Sequence, residues 1–392
     1  MIVIRRAAVL LIGVALAAAC NNPPPPRPLP RVNGVTAVYD TLSGRSHAVT
    51  VVTVAPDTAQ VLTKLAFARR SDLPPPNAPH GLFGARANEP SYVSTSRDRI
   101  YLLDGDSTIK EIGADGATRT VMSLSVPARF RVGFAVSPDD RQVAVAMVNY
   151  GLQWPAIHET LFVQALGGGQ RVELTMPEGR LYWPVGWREG RVVLAASYDY
   201  TNDRQWNPYG AYAYALIDPT PGARPTTISP QNCVPLGLVT AAGSACVDVG
   251  VARCGEERAD RPGYDSCLWR LDWGGEQTLF SLPHLRAAAP LWGDAAALSP
   301  DGRAIVTSRL FFATPGLRDH VSQLGEPAPA TYDSDRDVGW IDPTHVSAGY
   351  TLGNGTSRFQ IFDLGAGSTP KDMTISGETV SGHLVATLPG GL

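Results

Sequence analysis

The sequence predicts an all-β fold of short antiparallel strands, and three observations carry the prediction. The chain of 392 residues holds 39 glycines and 33 prolines, which punctuate it too often for long helices. No stretch sustains apolar residues at i, i+3, i+4, i+7. Instead, runs of four to eight apolar or β-branched residues recur between turn clusters. Hydrophobic residues make up 44% of the chain, ample for a core and incompatible with global disorder. Only 18% of residues are charged and the net charge is −3, which leaves no basic surface for nucleic acid.

Residues 1–19 read as a removable export segment. Arg5 and Arg6 form a positive n-region, Ala7 to Leu16 an apolar core, and Ala17-Ala18-Ala19 a small-residue cleavage site. The apolar run is far short of the ~20 residues a membrane-spanning helix needs. Cys20 directly after three alanines resembles a bacterial lipobox, whose cysteine is acylated and becomes the mature N-terminus. The leucine usual three residues before that cysteine is here Ala17, with Leu16 one step further back. An ordinary secretory signal with an incidental cysteine is the competing assignment, and Arg5-Arg6 leaves twin-arginine export open. Residues 20–31 follow as a tether, in which Pro23 to Pro26, Pro28 and Pro30 favour an extended spacer of about 3 Å per residue. The expected location is extracytoplasmic, lipid-anchored to the cell membrane or outer membrane.

Residues 32–392 form the folded domain. Phe134-Ala-Val-Ser137-Pro138-Asp139-Asp140-Arg141 and Ala297-Leu-Ser299-Pro300-Asp301-Gly302-Arg303 each end a short strand, make a tight turn and enter a second strand expected to alternate inward and outward residues. Pro presets the second turn position, Asp caps the turn, and Asp or Gly tolerates positive φ. Weaker copies begin at Ser96, Arg188, Thr240 and Asp342, so the markers recur every 41 to 59 residues. Four-stranded propeller blades run ~40–50 residues, which fits with modest insertions. Residues 35–67 add one strand set ahead of the first marker, and the strand after Gly382 is expected to complete that first set and close the ring. The prediction is a single β-propeller of four-stranded antiparallel blades, seven in number, with six or eight left open. The Ser-Pro-Asp-Gly-Arg hairpins resemble those of bacterial TolB-like and WD-repeat-like propellers. That resemblance implies a fold which hosts many unrelated activities.

Four further cysteines, Cys233, Cys246, Cys254 and Cys267, lie in one 35-residue window. In an exported chain they read as two disulfides with three possible connectivities, and the two 13-residue gaps suit Cys233–Cys246 and Cys254–Cys267. Zinc is disfavoured, since no pair has C-x₂-C spacing and no histidine falls in the window.

Chemistry is sparse. The chain has no G-x-S-x-G elbow, no H-E-x-x-H and no phosphate-binding loop, and no catalytic residue is assigned. Asp333, Asp335 and Asp337 alternate as a hard cation requires but lack the glycine and distal glutamate of a calcium loop, so calcium is a secondary expectation and no cofactor is the primary one. Asp104-Gly-Asp106 is weaker, and a β-turn explains it. The richest segment carries Tyr198, Tyr200, Asp203, Arg204, Trp206 and Tyr209, with Trp183 and Trp187 upstream. Clustered aromatics with polar neighbours suit a peptide or glycan site through stacking and hydrogen bonds. Residues 73–81 and 247–266 are further candidate surfaces. The expected function is a non-catalytic, monomeric binding or scaffold protein for a protein, peptide or glycan at the envelope. The alternative is an envelope lyase or glycosidase with paired carboxylates from different blades in the central channel.

Overall fold

A computed structural model of the chain describes residues 29–43, 46–54, 59–68, 92–128, 130–149, 159–178, 180–198, 213–228, 233–248, 267–280, 296–307, 311–313, 338–351, 357–364, 371–373, 375–376 and 383–390. Every regular element among them is a strand, and the strands assemble into seven small sheets arranged as a β-propeller.

The first sheet contains β1 (Thr36–Ser43), β2 (Ser46–Val54) and β3 (Ala59–Ala68). The second is β4 (Val93–Thr95), β5 (Ile100–Asp104), β6 (Thr108–Ile112) and β7 (Thr118–Ser123). The third is β8 (Phe130–Val136), β9 (Gln142–Asn149), β10 (Glu159–Ala165) and β11 (Val172–Leu174). The fourth is β12 (Arg180–Arg188), β13 (Arg191–Tyr198), β14 (Ala213–Ile217) and β15 (Thr226–Thr227). The fifth is β16 (Cys233–Thr240), β17 (Gly243–Asp248), β18 (Cys267–Leu271) and β19 (Gln277–Phe280). The sixth is described with three strands, β20 (Ala296–Leu298), β21 (Ala304–Thr307) and β22 (Phe311–Ala313). The seventh is β23 (Val338–Trp340), β24 (His345–Thr351), β25 (Ser357–Asp363) and β26 (Lys371–Met373). The chain then returns to the first sheet, where β27 (Ile375–Ser376) pairs parallel with β3 at one edge and β28 (His383–Leu388) pairs antiparallel with β1 at the other. The expected closure by the C-terminal strand is therefore present, and it leaves β1 no unpaired edge.

All six marker positions begin the turn between the first two strands of sheets two to seven. In the third sheet the Ser137 hydroxyl donates to Asp139 Oδ1 at 2.6 Å and accepts from the Gln142 amide at 2.9 Å. In the sixth, Ser299 donates to Asp301 at 2.6 Å and accepts from the Ala304 amide at 2.9 Å. In the seventh an aspartate replaces the serine, and Asp342 Oδ1 accepts from the amides of Thr344 and His345, both at 2.7 Å. The left-handed position of the turn is Asp140 (φ 58°) in one copy and Gly302 (φ 71°) in the other.

One expectation changes. The second strand of the third sheet does not alternate: Val143 to Val148 are six consecutive buried residues. Sheets stack face to face around the ring, so a middle strand is covered on both sides, and Ala144 and Ala146 keep the approach close. Outermost β7 has only one neighbouring strand and keeps alternation.

Tryptophans tie adjacent sheets. Trp187 of β12 donates its indole N–H to the Ala135 carbonyl of β8 at 2.9 Å, and Trp340 of β23 donates to the Ala297 carbonyl of β20 at 3.1 Å. Ala135 and Ala297 both lie two residues before the turn serine. Trp187→Phe loses a buried hydrogen bond worth ~1 kcal/mol and part of the packed volume, so denaturant unfolding is expected to show a loss of about 2–3 kcal/mol. An unchanged midpoint would mean that the indole bond holds nothing together.

Candidate functional site

Strand direction sorts every connection onto one of two faces. With β28, β4, β8, β12, β16, β20 and β23 as first strands, the first-to-second and third-to-fourth turns emerge on one side, the turn face. The second-to-third connections and the crossings between sheets emerge on the other, the loop face. The Ser-Pro-Asp turns, the start of β1 and the end of β28 all belong to the turn face.

This sorting places the sequence candidates. Tyr198 ends β13 and Ala213 begins β14, so the segment between them leaves from and returns to the loop face. Tyr200, Asp203, Arg204, Trp206 and Tyr209 lie outside the described residues. Asp248 and Cys267, Ala68 and Val93 are likewise loop-face strand ends, and Val338 begins β23 there; residues 249–266 and 69–91 lie outside the described residues. Asp333, Asp335 and Asp337 themselves lie outside the described residues, as do Cys20 and Cys254. Cys233 and Cys267 are both cross-strand partners of Asp248, two residues from Cys246 on β17, and Cys246 is fully buried. Among the described residues no group of three or more His, Cys, Asp and Glu side chains is placed to hold a metal ion. No helix among them is long and apolar enough to cross a membrane.

The two tryptophans upstream of the aromatic segment lie in the core. Trp183 and Trp187 are 2% and 1% exposed and pack between the third and fourth sheets, because their strand is an inner one. Asp104 accepts from the Ala68 amide at 2.7 Å and pairs with Lys110, which accounts for its carboxylate within the β5–β6 turn.

Residues 30–32 contact the second sheet. The Ala114 amide donates to the Pro30 carbonyl at 3.1 Å, the Val32 amide donates to the Asp98 carbonyl at 3.1 Å, and Arg31 pairs with Asp98 at 2.7 Å. Val32, 3% exposed, packs into the core between the first two sheets. The stem therefore crosses the turn face of the second sheet before entering β1.

Beside it lies an ionic network that the sequence did not reveal. Tyr101, Glu111 and Arg119 are cross-strand neighbours on β5, β6 and β7. Glu111, 1% exposed, receives both Arg99 and Arg119. Asp140, from the turn of the third sheet, pairs with Arg99 at 3.3 Å and accepts from the Tyr101 hydroxyl at 2.8 Å. Burial pushes the Tyr101 hydroxyl up, and Asp140 adds to the shift. Burial opposes charge on Arg99, but the carboxylates of Glu111 and Asp140, with Tyr101, outweigh it and leave the guanidinium more basic than usual. A second buried carboxyl, Glu159 at the start of β10, accepts from the Tyr182 amide of β12 through both oxygens, at 3.0 and 2.9 Å. Burial pushes its pKa well up, and the Tyr182 amide only partly opposes this. In the seventh sheet Asp342 also holds His345 Nδ1 at 2.7 Å.

No protein-family model and no curated protein matches the sequence. Solved structures similar to the chain include a protein from Lactobacillus plantarum, at 13% identity and a TM-score of 0.42 over 92% of this chain and 99% of that one. The acylaminoacyl peptidase of Pyrococcus horikoshii aligns at 7% identity and a TM-score of 0.43 over 86% of this chain and 52% of that one. Prolyl oligopeptidase B from Galerina marginata aligns at 12% identity and a TM-score of 0.41 over 84% of this chain and 46% of that one. The chain thus spans about half the length of these two peptidases.

Two outcomes test the buried charges. Asp140→Gly relieves a left-handed backbone costing roughly 1–2 kcal/mol but strands Tyr101 and Arg99, whose charge-assisted bonds to Asp140 are worth about 1.5–3 kcal/mol each. Net destabilisation in urea is expected, and Asp140→Asn should recover part of it; a glycine variant more stable than wild type would show that the contact is incidental. For Glu159, the folded pKa lies above the unfolded one, so its contribution is present at low pH and fades as pH rises through the folded value. Glu159→Gln is accordingly expected to leave Tm nearly unchanged near pH 4 and to raise it at pH 8. The opposite pH trend would contradict the burial argument.

Proposed function

We propose that the chain is a lipid-anchored extracytoplasmic propeller of seven blades, one per sheet, that binds a protein, peptide or glycan through its loop face without catalysing a reaction. The observation that carries this reading is the separation of faces. The stem that continues from Cys20 and the Pro run lies on the turn face, while the strand ends on either side of the aromatic segment, of residues 249–266 and of residues 69–91 lie on the other. A scaffold that holds its anchor on one side and its variable connections on the other suits a binding protein. The Ser-Pro-Asp turns support assignment to the TolB-like class of the sequence resemblance, through the Ser137 and Ser299 hydrogen bonds. Two disulfides among Cys233, Cys246, Cys254 and Cys267 belong to this reading with their connectivity open, since the register sets Cys233 and Cys267 symmetrically about Asp248, two residues from Cys246.

Crosslinking and pull-down from native envelope tests the binding reading. Wild type is expected to enrich a discrete partner that a variant lacking residues 200–210 does not, and identical recovery by both defeats the site. Mass spectrometry of the same membrane fraction should find acylated Cys20 and both disulfides in non-reduced digests; a soluble mature chain with four free thiols refutes export and anchoring.

A further inference from the structure

We infer that the turn face is the membrane-proximal face of the anchored protein and that the contact of residues 30–32 with the second sheet holds it there. The inference rests on the anchor at Cys20 proposed above and adds an orientation to it. Residues 20–28 precede the described stem, and nine residues in an extended proline-rich conformation reach roughly 28 Å. The longer first strands, such as β8 of seven residues and β12 of nine, run about 23–30 Å from face to face. Turning the loop face to the bilayer would make the spacer run the whole depth of the propeller, with nothing left to reach around its rim. With the turn face down, the same spacer is slack.

The stem contact removes the remaining freedom. Two backbone hydrogen bonds, the Arg31–Asp98 pair and the buried Val32 side chain pin the exit point to the β4–β5 and β6–β7 turns. Three described turns of the face carry both signs of charge. Exposed Arg141 and Arg303 stand beside the carboxylates of Asp139 and Asp301, and Arg188 beside Glu189. Mixed signs offer an anionic bilayer no net attraction, so the tether and its clasp set the orientation. The loop face, with its candidate binding segments, then points away from the anchoring membrane, toward partners free in the compartment or held on an opposing layer.

The test uses the full lipidated chain on phosphatidylethanolamine/phosphatidylglycerol vesicles carrying a headgroup energy acceptor. A donor fluorophore is placed through a bioorthogonal residue at Arg141, on the turn face, or at Glu178, exposed between β11 and β12 on the loop face. Transfer is expected to be several-fold stronger from position 141, and the difference should narrow when Arg31→Ala and Val32→Ser release the clasp. Arg31→Ala alone, which spares the core, should narrow it in part. Equal transfer from both positions, or stronger transfer from 178, overturns the orientation while leaving the anchor intact. Vesicle binding that persists in Cys20→Ser overturns the anchor reading instead, and the orientation with it.

Discussion

Middle strands with apolar side chains on both faces need a covering sheet on either side, and that requirement governs the architecture. Val143 to Val148 are buried without a break, as are Ile100 to Leu103, so neither sheet could be the outer layer of a two-sheet sandwich. A series of such sheets terminates only by meeting its own beginning. Here the meeting is covalently continuous: β28 supplies the first strand of the sheet that β1 to β3 leave incomplete, and Tyr39 of β1 bonds Ser347 of β24 at 2.8 Å across the seam. Burial pushes the Tyr39 hydroxyl up, with the Ser347 bond only partly opposing it, so the phenol stays neutral.

Closure also explains where polar groups are permitted inside. Between stacked sheets a buried charge or N–H needs a protein partner, found within its own sheet, as Glu111 finds Arg119, or on the neighbouring one. Each contact of the second kind therefore doubles as a register pin between sheets. Trp187 pins the fourth sheet to the third, Trp340 the seventh to the sixth, Glu159 the third to the fourth, and Asp140 the third to the second. Tyr214 to Ser244 does the same between the fourth and fifth at 3.3 Å, and burial raises the Tyr214 pKa to about 12 despite that bond.

What could be read from the sequence follows from the range of each interaction. The Ser-Pro-Asp turns were legible because every partner lies within five residues, so the pattern is written contiguously. The β1–β28 closure was legible because a strand without a local partner must find one elsewhere. The Arg99–Glu111–Arg119 network was not, although Tyr101, Glu111 and Arg119 sit opposite one another on adjacent strands. Thr108-Ile-Lys-Glu-Ile reads as an ordinary outer strand until the neighbouring turn covers it. Trp183 and Trp187 stand close in sequence to an aromatic-rich segment, but inner-strand position and stacking decide their burial.

Asp140 shows how local and distant demands meet in one residue. The turn alone would favour glycine there, as the sixth sheet has at Gly302 with φ 71°. Asp140 accepts the left-handed backbone and gains Arg99 and Tyr101 of the adjacent sheet. The turn thus becomes a latch on the same sheet that carries the stem through Asp98 and Ala114. The second sheet is consequently braced from the third by charge and from the N-terminal side by the stem, both on the turn face.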